Sequence, residues 1–228
     1  MERQTKILAV AGKGGVGKTS ISSAFVRLLT EAYPDARILA IDADPAVGLS
    51  TALGVEVRET LDDIRKSIVA SVEDGAPREA IALLREARYR IFDTMVEQQK
   101  FSFLAIGRPE SAGCYCKVNA YLKEVINLLS HDFDYVIIDT PPVNIVTDAS
   151  VISDKITGYI FVVQSGKNHI QDLKDAFGQI EEMHGDIVGI ILNDPDNKAE
   201  AHYSYRYNKY FRYDRYKYYG ESPVGKQK

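Results

Sequence analysis

The chain has 228 residues, 45% of them apolar and 26% charged, with a formal net charge of −4; this composition excludes wholesale disorder and suits one well-filled domain. No stretch approaches the ~18 consecutive apolar residues of a membrane-spanning helix, and the first residues lack the apolar run of a secretory leader. Both cysteines lie within Cys114-Tyr-Cys116 and cannot form a disulfide framework, so a reducing, cytoplasmic setting is expected.

In chain order, short apolar runs alternate with stretches whose apolar residues recur every three or four positions. Ile7–Ala11 reads as a strand, and the glycine-rich segment after it leads into a helix over Thr19–Tyr33. A strand over Arg37–Ile41 runs into Asp42-Ala-Asp44-Pro45. Helices over Thr60–Val72 and Arg78–Gln99 precede a strand at Phe101–Ile106. The paired cysteines then lead to a helix over Val118–Leu129 and a strand over Tyr135–Ile138, which ends at Asp139. A strand at Tyr159–Val163, a helix at Ile170–His184 and a strand at Ile187–Leu192 close the pattern, with Asn193 next.

Most of these strands are nearly continuous in apolar residues, as strands covered on both faces must be. Strand–helix alternation demands right-handed crossovers. The expected fold is therefore α/β, a doubly wound, mainly parallel sheet flanked by helices, in one domain over residues 1–197. Residues 198–228 form a different kind of segment, with eight Lys and Arg against three Asp and Glu. That balance of +5 leaves the body at about −9. Eight of the 14 tyrosines stand there: Tyr203, Tyr205, Tyr207, Tyr210, Tyr213, Tyr216, Tyr218 and Tyr219. With so little buriable aliphatic surface, the segment is expected to be a flexible tail.

Gly12-Lys-Gly-Gly-Val-Gly-Lys18-Thr19 fits the phosphate-loop pattern and stands between a strand and a helix, the context that pattern needs. Gly12, Gly14, Gly15, Val16 and Gly17 let backbone N–H groups face a polyphosphate, and the helix start, through Ser20, adds positive potential. Lys18 neutralises β/γ oxygens, and Thr19 is a ligand for Mg²⁺. Asp42 and Asp44 sit at a strand end, where open α/β sheets bind ligands; Asp44 is expected to polarise the attacking water, with Asp42 beside the metal. Asp139 closes another strand and is expected to hold Mg²⁺ through water. Together these residues suit phosphoryl transfer from ATP, which depends on positioning and charge neutralisation.

Lys13, within Lys-Gly-Gly-Val-Gly-Lys-Thr, resembles the deviant Walker A loop of the MinD/ParA/nitrogenase-iron-protein class of P-loop ATPases. The resemblance implies that Lys13 reaches a phosphate on the opposite subunit of an ATP-dependent homodimer, and that Asn193 reads adenine. Residues 1 to about 138 resemble the CooC nickel-insertion ATPases through Ala11–Thr19, Asp42–Leu49 and Gly107-Arg-Pro-Glu-Ser-Ala-Gly-Cys-Tyr-Cys116. By that likeness Cys114 and Cys116 bind metal between two subunits, and a nickel enzyme such as carbon monoxide dehydrogenase is the implied client. A tetrahedral thiolate site needs four ligands, so two copies of the pair would supply a site for Ni²⁺ or Zn²⁺.

From about residue 134 onward the chain resembles the CpsD/CapB-type bacterial tyrosine kinases of capsule and exopolysaccharide synthesis. The matching strings are Asp134-Tyr-Val-Ile-Ile-Asp-Thr-Pro-Pro-Val143, Val146-Thr-Asp-Ala149, Gly158–Val163, Gly189–Asn193 and the tyrosine cluster. This likeness implies phosphoacceptor tyrosines in the tail and a membrane activator as partner. Pro45-Ala46 stands where those kinases carry an arginine. The two resemblances give the chain a chimeric aspect, with the join near Tyr135–Asp139. A nucleotide-switched scaffold of the MinD or ParA kind is a further possibility. Nucleic acid is not an expected partner, because the body is acidic and no nucleic-acid-binding module precedes the tail.

Overall fold

The computed structural model describes residues 5–64, 66–67, 91–107, 122–123, 125–142, 154–167 and 170–194, all within the unit Met1–Asn193 apart from the last. Seven strands form one sheet: β1 (Lys6–Gly12), β2 (Ile38–Asp42), β3 (Val96–Glu97), β4 (Ser102–Ala105), β5 (Tyr135–Asp139), β6 (Gly158–Gln164) and β7 (Ile187–Asn193). Their spatial order is β3-β4-β2-β5-β1-β6-β7, with every neighbouring pair parallel except β3–β4. Each of the six strands expected from the apolar runs lies within one residue of its expected ends.

The helices follow the same logic with two differences. α1 (Lys18–Ala32) and α3 (Ile170–Glu182) occupy the expected amphipathic stretches. α2 (Gly48–Leu53) was not expected, because a six-residue helix is too short to establish a period. It begins after Val47, whose φ of 48° is left-handed, and ends at left-handed Gly54.

The helix expected through Gln99 requires correction. Among the described residues, helical conformation covers 91–94, after which Val96 and Glu97 pair antiparallel with Phe103 and Ser102. The Gln98 N–H donates to the Phe101 carbonyl at 2.9 Å and closes the hairpin. A polar stretch beside an open sheet edge satisfies its backbone better by pairing than by continuing a helix. The helix expected from Thr60 is seen at 61–64 and 66–67, and the rest of that expectation lies outside the described residues.

Alternation along the strands sends apolar side chains to both faces. Val10, Ala40, Ile137 and Val162 join Val26 of α1 and Leu49 of α2 on one side. Ala9, Ala11, Leu39, Ile41, Val136, Ile138 and Phe161 meet Ala176 and Ile180 of α3 on the other. There the Phe161 and Phe177 rings meet edge to face, 4.8 Å apart, a preferred aromatic arrangement. Every residue of β2 is buried. β7, at the sheet edge, alternates instead, with Val188, Ile190 and Leu192 exposed by 59%, 59% and 57%.

Candidate nucleotide site

Parallel strands deliver their C-terminal ends to one rim, which in this sheet gathers Gly12 from β1, Asp42 from β2 and Asp139 from β5. Asp42 and Asp139 are direct partners in the β2–β5 register, which places two carboxylates side by side. The loop from Gly12 to Thr19 arches over this end. Gly12 has φ 151°, and a Cβ there would meet the Val162 carbonyl oxygen at 2.5 Å, so a side chain would force β1 away from β6.

Gly17 caps α1 at φ 95° without a side-chain hydrogen bond, and the first helical bond runs from the Ile21 N–H to the Gly17 carbonyl at 3.0 Å. The N–H groups of Lys18, Thr19 and Ser20 therefore precede the helical ladder, the arrangement that makes a helix start attractive to anions. No acidic side chain stands in that first turn to compete for them.

Lys18 is the first residue of α1 and is buried, its Nζ donating to the Lys13 carbonyl at 3.4 Å. Burial pulls its pKa down, while the neighbouring Asp44 and Asp139 carboxylates push it back up. Thr19 donates from Oγ1 to Asp139 Oδ2 at 2.7 Å, and Ser22, one turn further on, donates to Asp139 Oδ1 at 3.0 Å. Burial pushes the Asp139 carboxyl up to about 6 against the pull of those hydroxyls and of Lys18.

Asp42 is more deeply tied into the backbone. Its Oδ2 accepts from the Leu49 N–H at 2.9 Å and its Oδ1 from the Asp44 N–H at 3.2 Å. Burial, followed by the Asp139 charge, pushes it up to about 7. Asp42 thereby ties the start of α2 to the segment carrying Asp44, whose own Oδ1 accepts from the Ala46 N–H at 3.0 Å. Gly48 lies against Thr19, with a Cβ position 3.3 Å from Thr19 Cγ2, so α2 begins beside the phosphate loop.

The remaining expected residues fall around the loop. Lys13 Nζ pairs with Asp172 Oδ2 in the first turn of α3 at 2.7 Å. Val16 is buried and accepts at its carbonyl from Asn193 Nδ2 at 2.8 Å. Gly14 and Gly15 are exposed at the tip, Gly15 with φ 77°, and Ser20 is exposed in the first turn of α1. Thr140 donates from Oγ1 to the Val10 carbonyl at 2.8 Å, and a Cβ on Gly14 would lie 3.6 Å from Pro142 Cγ, so Thr140-Pro-Pro142 borders the loop. Cys114, Cys116 and the eight tail tyrosines lie outside the described residues.

Three participants were not foreseen. Ser22 was detectable, because it follows Thr19 by three residues and so shares its helix face. Asp172 and the backbone of Leu49 carried no local signal, since both reach the site through the fold. Among the described residues no group of three or more His, Cys, Asp or Glu is arranged to hold a metal ion. The donors present are hard oxygens, Thr19 Oγ1 and Asp139, which fit Mg²⁺ held by one or two protein groups together with substrate phosphates.

A family model for anion-transporting ATPases matches residues 5–204. The chain belongs to that family. As an anion-transporting ATPase-family protein it combines the P-loop with a parallel sheet, and the family match runs across β5, where the two sequence resemblances meet. An uncharacterised ATP-binding protein of Methanocaldococcus jannaschii is 41% identical over 134 residues, 59% of this chain and 52% of that protein. The tyrosine-protein kinase CpsD of Streptococcus agalactiae is 37% identical over 97 residues, 42% of each. The chain thus spans about half or less of these two curated relatives.

Solved structures share the fold. The kinase domain of the Escherichia coli tyrosine kinase ETK superposes with a TM-score of 0.64 at 24% identity, covering 90% of this chain and 73% of that one. A ParA-family ATPase from Chlorobium tepidum does so at 0.58 and 18% identity, covering 83% and 74%. The architecture is that of the ParA/MinD-like P-loop proteins. No helix among the described residues is long and apolar enough to cross a membrane.

Proposed function

We propose that this chain is a magnesium-dependent ATP hydrolase that closes into a homodimer on its nucleotide. The observation that carries the reading is the convergence of Lys18, Thr19, Asp42, Asp44 and Asp139 at one rim, with Thr19 and Asp139 already hydrogen-bonded at 2.7 Å. Loop N–H groups and Lys18 hold the β and γ phosphates. Thr19 and Asp139 would hold Mg²⁺, which when bound neutralises phosphate charge. Asp42 shapes the loop that presents Asp44, and Asp44 orients a water for attack on the γ-phosphorus. The bond from that phosphorus to the bridging oxygen breaks, and ADP and inorganic phosphate leave. Lys13 crosses to the partner's phosphates in the closed dimer.

Within this reading, hydrolysis drives metal transfer in the CooC manner, with Cys114, Cys116 and their copies holding nickel or zinc as cargo for a client enzyme. A second reading, autophosphorylation of the tail tyrosines, is favoured by the likeness to CpsD. The test is steady-state phosphate release with Mg-ATP, run beside phosphotyrosine mass spectrometry and metal titration. Asp44→Ala is expected to lower kcat by roughly 10²–10⁴-fold, and Lys18→Ala to abolish nucleotide binding. One metal ion per dimer, lost in the Cys114→Ser/Cys116→Ser variant, supports metal transfer; phosphotyrosine without metal uptake supports the kinase. Undiminished turnover in Asp44→Ala overturns the assigned mechanism.

A further inference from the structure

We infer that Asn193 is a positioning residue for the phosphate loop, acting through the Val16 carbonyl, and that this role is separate from reading the base. The inference rests on the proposal that residues 12–19 bind a triphosphate. Asn193 ends β7, held in register with Gln164 of β6 and by its own carbonyl accepting from the Ser165 N–H at 3.2 Å. Its side chain spans 177 positions of sequence to donate from Nδ2 to the Val16 carbonyl at 2.8 Å. A carbonyl accepts only, so the amide must present its NH₂ side there.

The geometry of the next residue explains why this bond matters. Gly17 has φ 95°, and a Cβ at that position would collide with Asn193 Nδ2. The amide therefore packs directly against the Gly17 backbone, on the side an L side chain would fill. A phosphate loop works only if its N–H groups face the anion, which requires its carbonyls to face elsewhere. Val16 is buried, and a buried carbonyl without a donor is costly. Asn193 supplies that donor and holds the Val16–Gly17 peptide with its carbonyl turned toward β7. The next N–H groups along the chain are those of Gly17, Lys18 and Thr19, so the orientation of this peptide sets how the anion-binding end of α1 is presented.

The experiment compares wild type with Asn193→Asp and Asn193→Ala, measuring affinity for Mg-ATP, Mg-CTP and inorganic tripolyphosphate with Mg²⁺, and kcat at saturating ATP. Asn193→Asp is close to isosteric but sets an acceptor against an acceptor, so it is expected to be worse than Asn193→Ala. The expected result is a tenfold or greater loss in Asn193→Asp, equal for all ligands that wild type binds, with kcat reduced and the melting temperature lowered by only the few degrees that one unsatisfied buried acceptor costs. Loss confined to ATP, with CTP and tripolyphosphate affinity and kcat intact, overturns the inference and leaves a base-reading residue. Lower melting temperatures with affinity and kcat intact also overturn it, as a purely structural role. Wild type that binds neither nucleotide nor tripolyphosphate refutes the triphosphate site itself, an outcome distinct from either.

Discussion

The middle of the sheet and its β7 edge run in the same direction and finish at the same rim, yet they are made differently. β2 is buried at every residue and ends in Asp42, which is 1% exposed. β5 ends in Asp139, buried completely. β7 turns Val188, Ile190 and Leu192 outward and ends in a neutral amide. Ionisable groups thus sit where water is scarce, and the edge supplies a group with no charge to desolvate. Burying an unpaired charge is expensive, so the central carboxylates hold their protons more tightly than free ones. On the proposed function, the difference marks where this molecule accepts instability for chemistry and where it does not.

The comparison can be broken first at its packing. Ile137→Ala in the central strand β5 is expected to lower stability by about 2–5 kcal/mol. Ile190→Ser at the edge is expected to change it by about 0.5 kcal/mol or less. Urea denaturation of both variants measures the gap, and equal losses would mean that β7 is as well packed as the centre.

Titration sharpens the same contrast. Folding raises Asp139 from 3.8 to about 6 and Asp42 from 3.8 to about 7. Between those values the folded chain binds more protons than the unfolded one, so their contribution is complete below about pH 3.8 and is lost as pH rises through about 6 and 7. Asp139→Asn carries no such proton. Without nucleotide, the variant is expected to gain on wild type by on the order of 1–3 kcal/mol between pH 4 and 8. Denaturation midpoints at a series of pH values check this, and a gap independent of pH would refute it.

The smallest effect is expected at the half-buried pair of Lys13 and Asp172. Asp172→Asn should change stability by about 0.5 kcal/mol or less, because both side chains reach solvent. By releasing Lys13 it should let the ATP-dependent dimer form at lower protein concentration, which sedimentation velocity would detect. Dimerisation weaker than wild type would show that Asp172 assists Lys13 instead of restraining it.

The six principal strands were legible because burial on both faces demands apolar runs, and β7, though alternating in burial, carried the same composition. The phosphate loop was legible because its glycines have little other use between a strand and a helix. β3 was not, since two residues of edge pairing leave no periodic trace and a polar stretch beside Val96 also suits a helix. Asp42 could be named from its strand end, but its two bonds to the Asp44 and Leu49 N–H groups depend on a turn that local propensity disfavours. Asn193 could be placed at the phosphate-loop end of the sheet from its strand, whereas its bond to Val16 depends on the β6–β7 register.

That turn has a consequence of its own. Val47 holds φ at 48°, a shape a β-branched residue avoids in a free chain. The segment from Asp44 to Leu49 is therefore bent during folding, against its own preference, by the cohesion of the strands and helices around it. On the proposed function, a nucleotide arriving later would meet a wall already curved to receive it, and little of its attraction would be spent on bringing that wall to order.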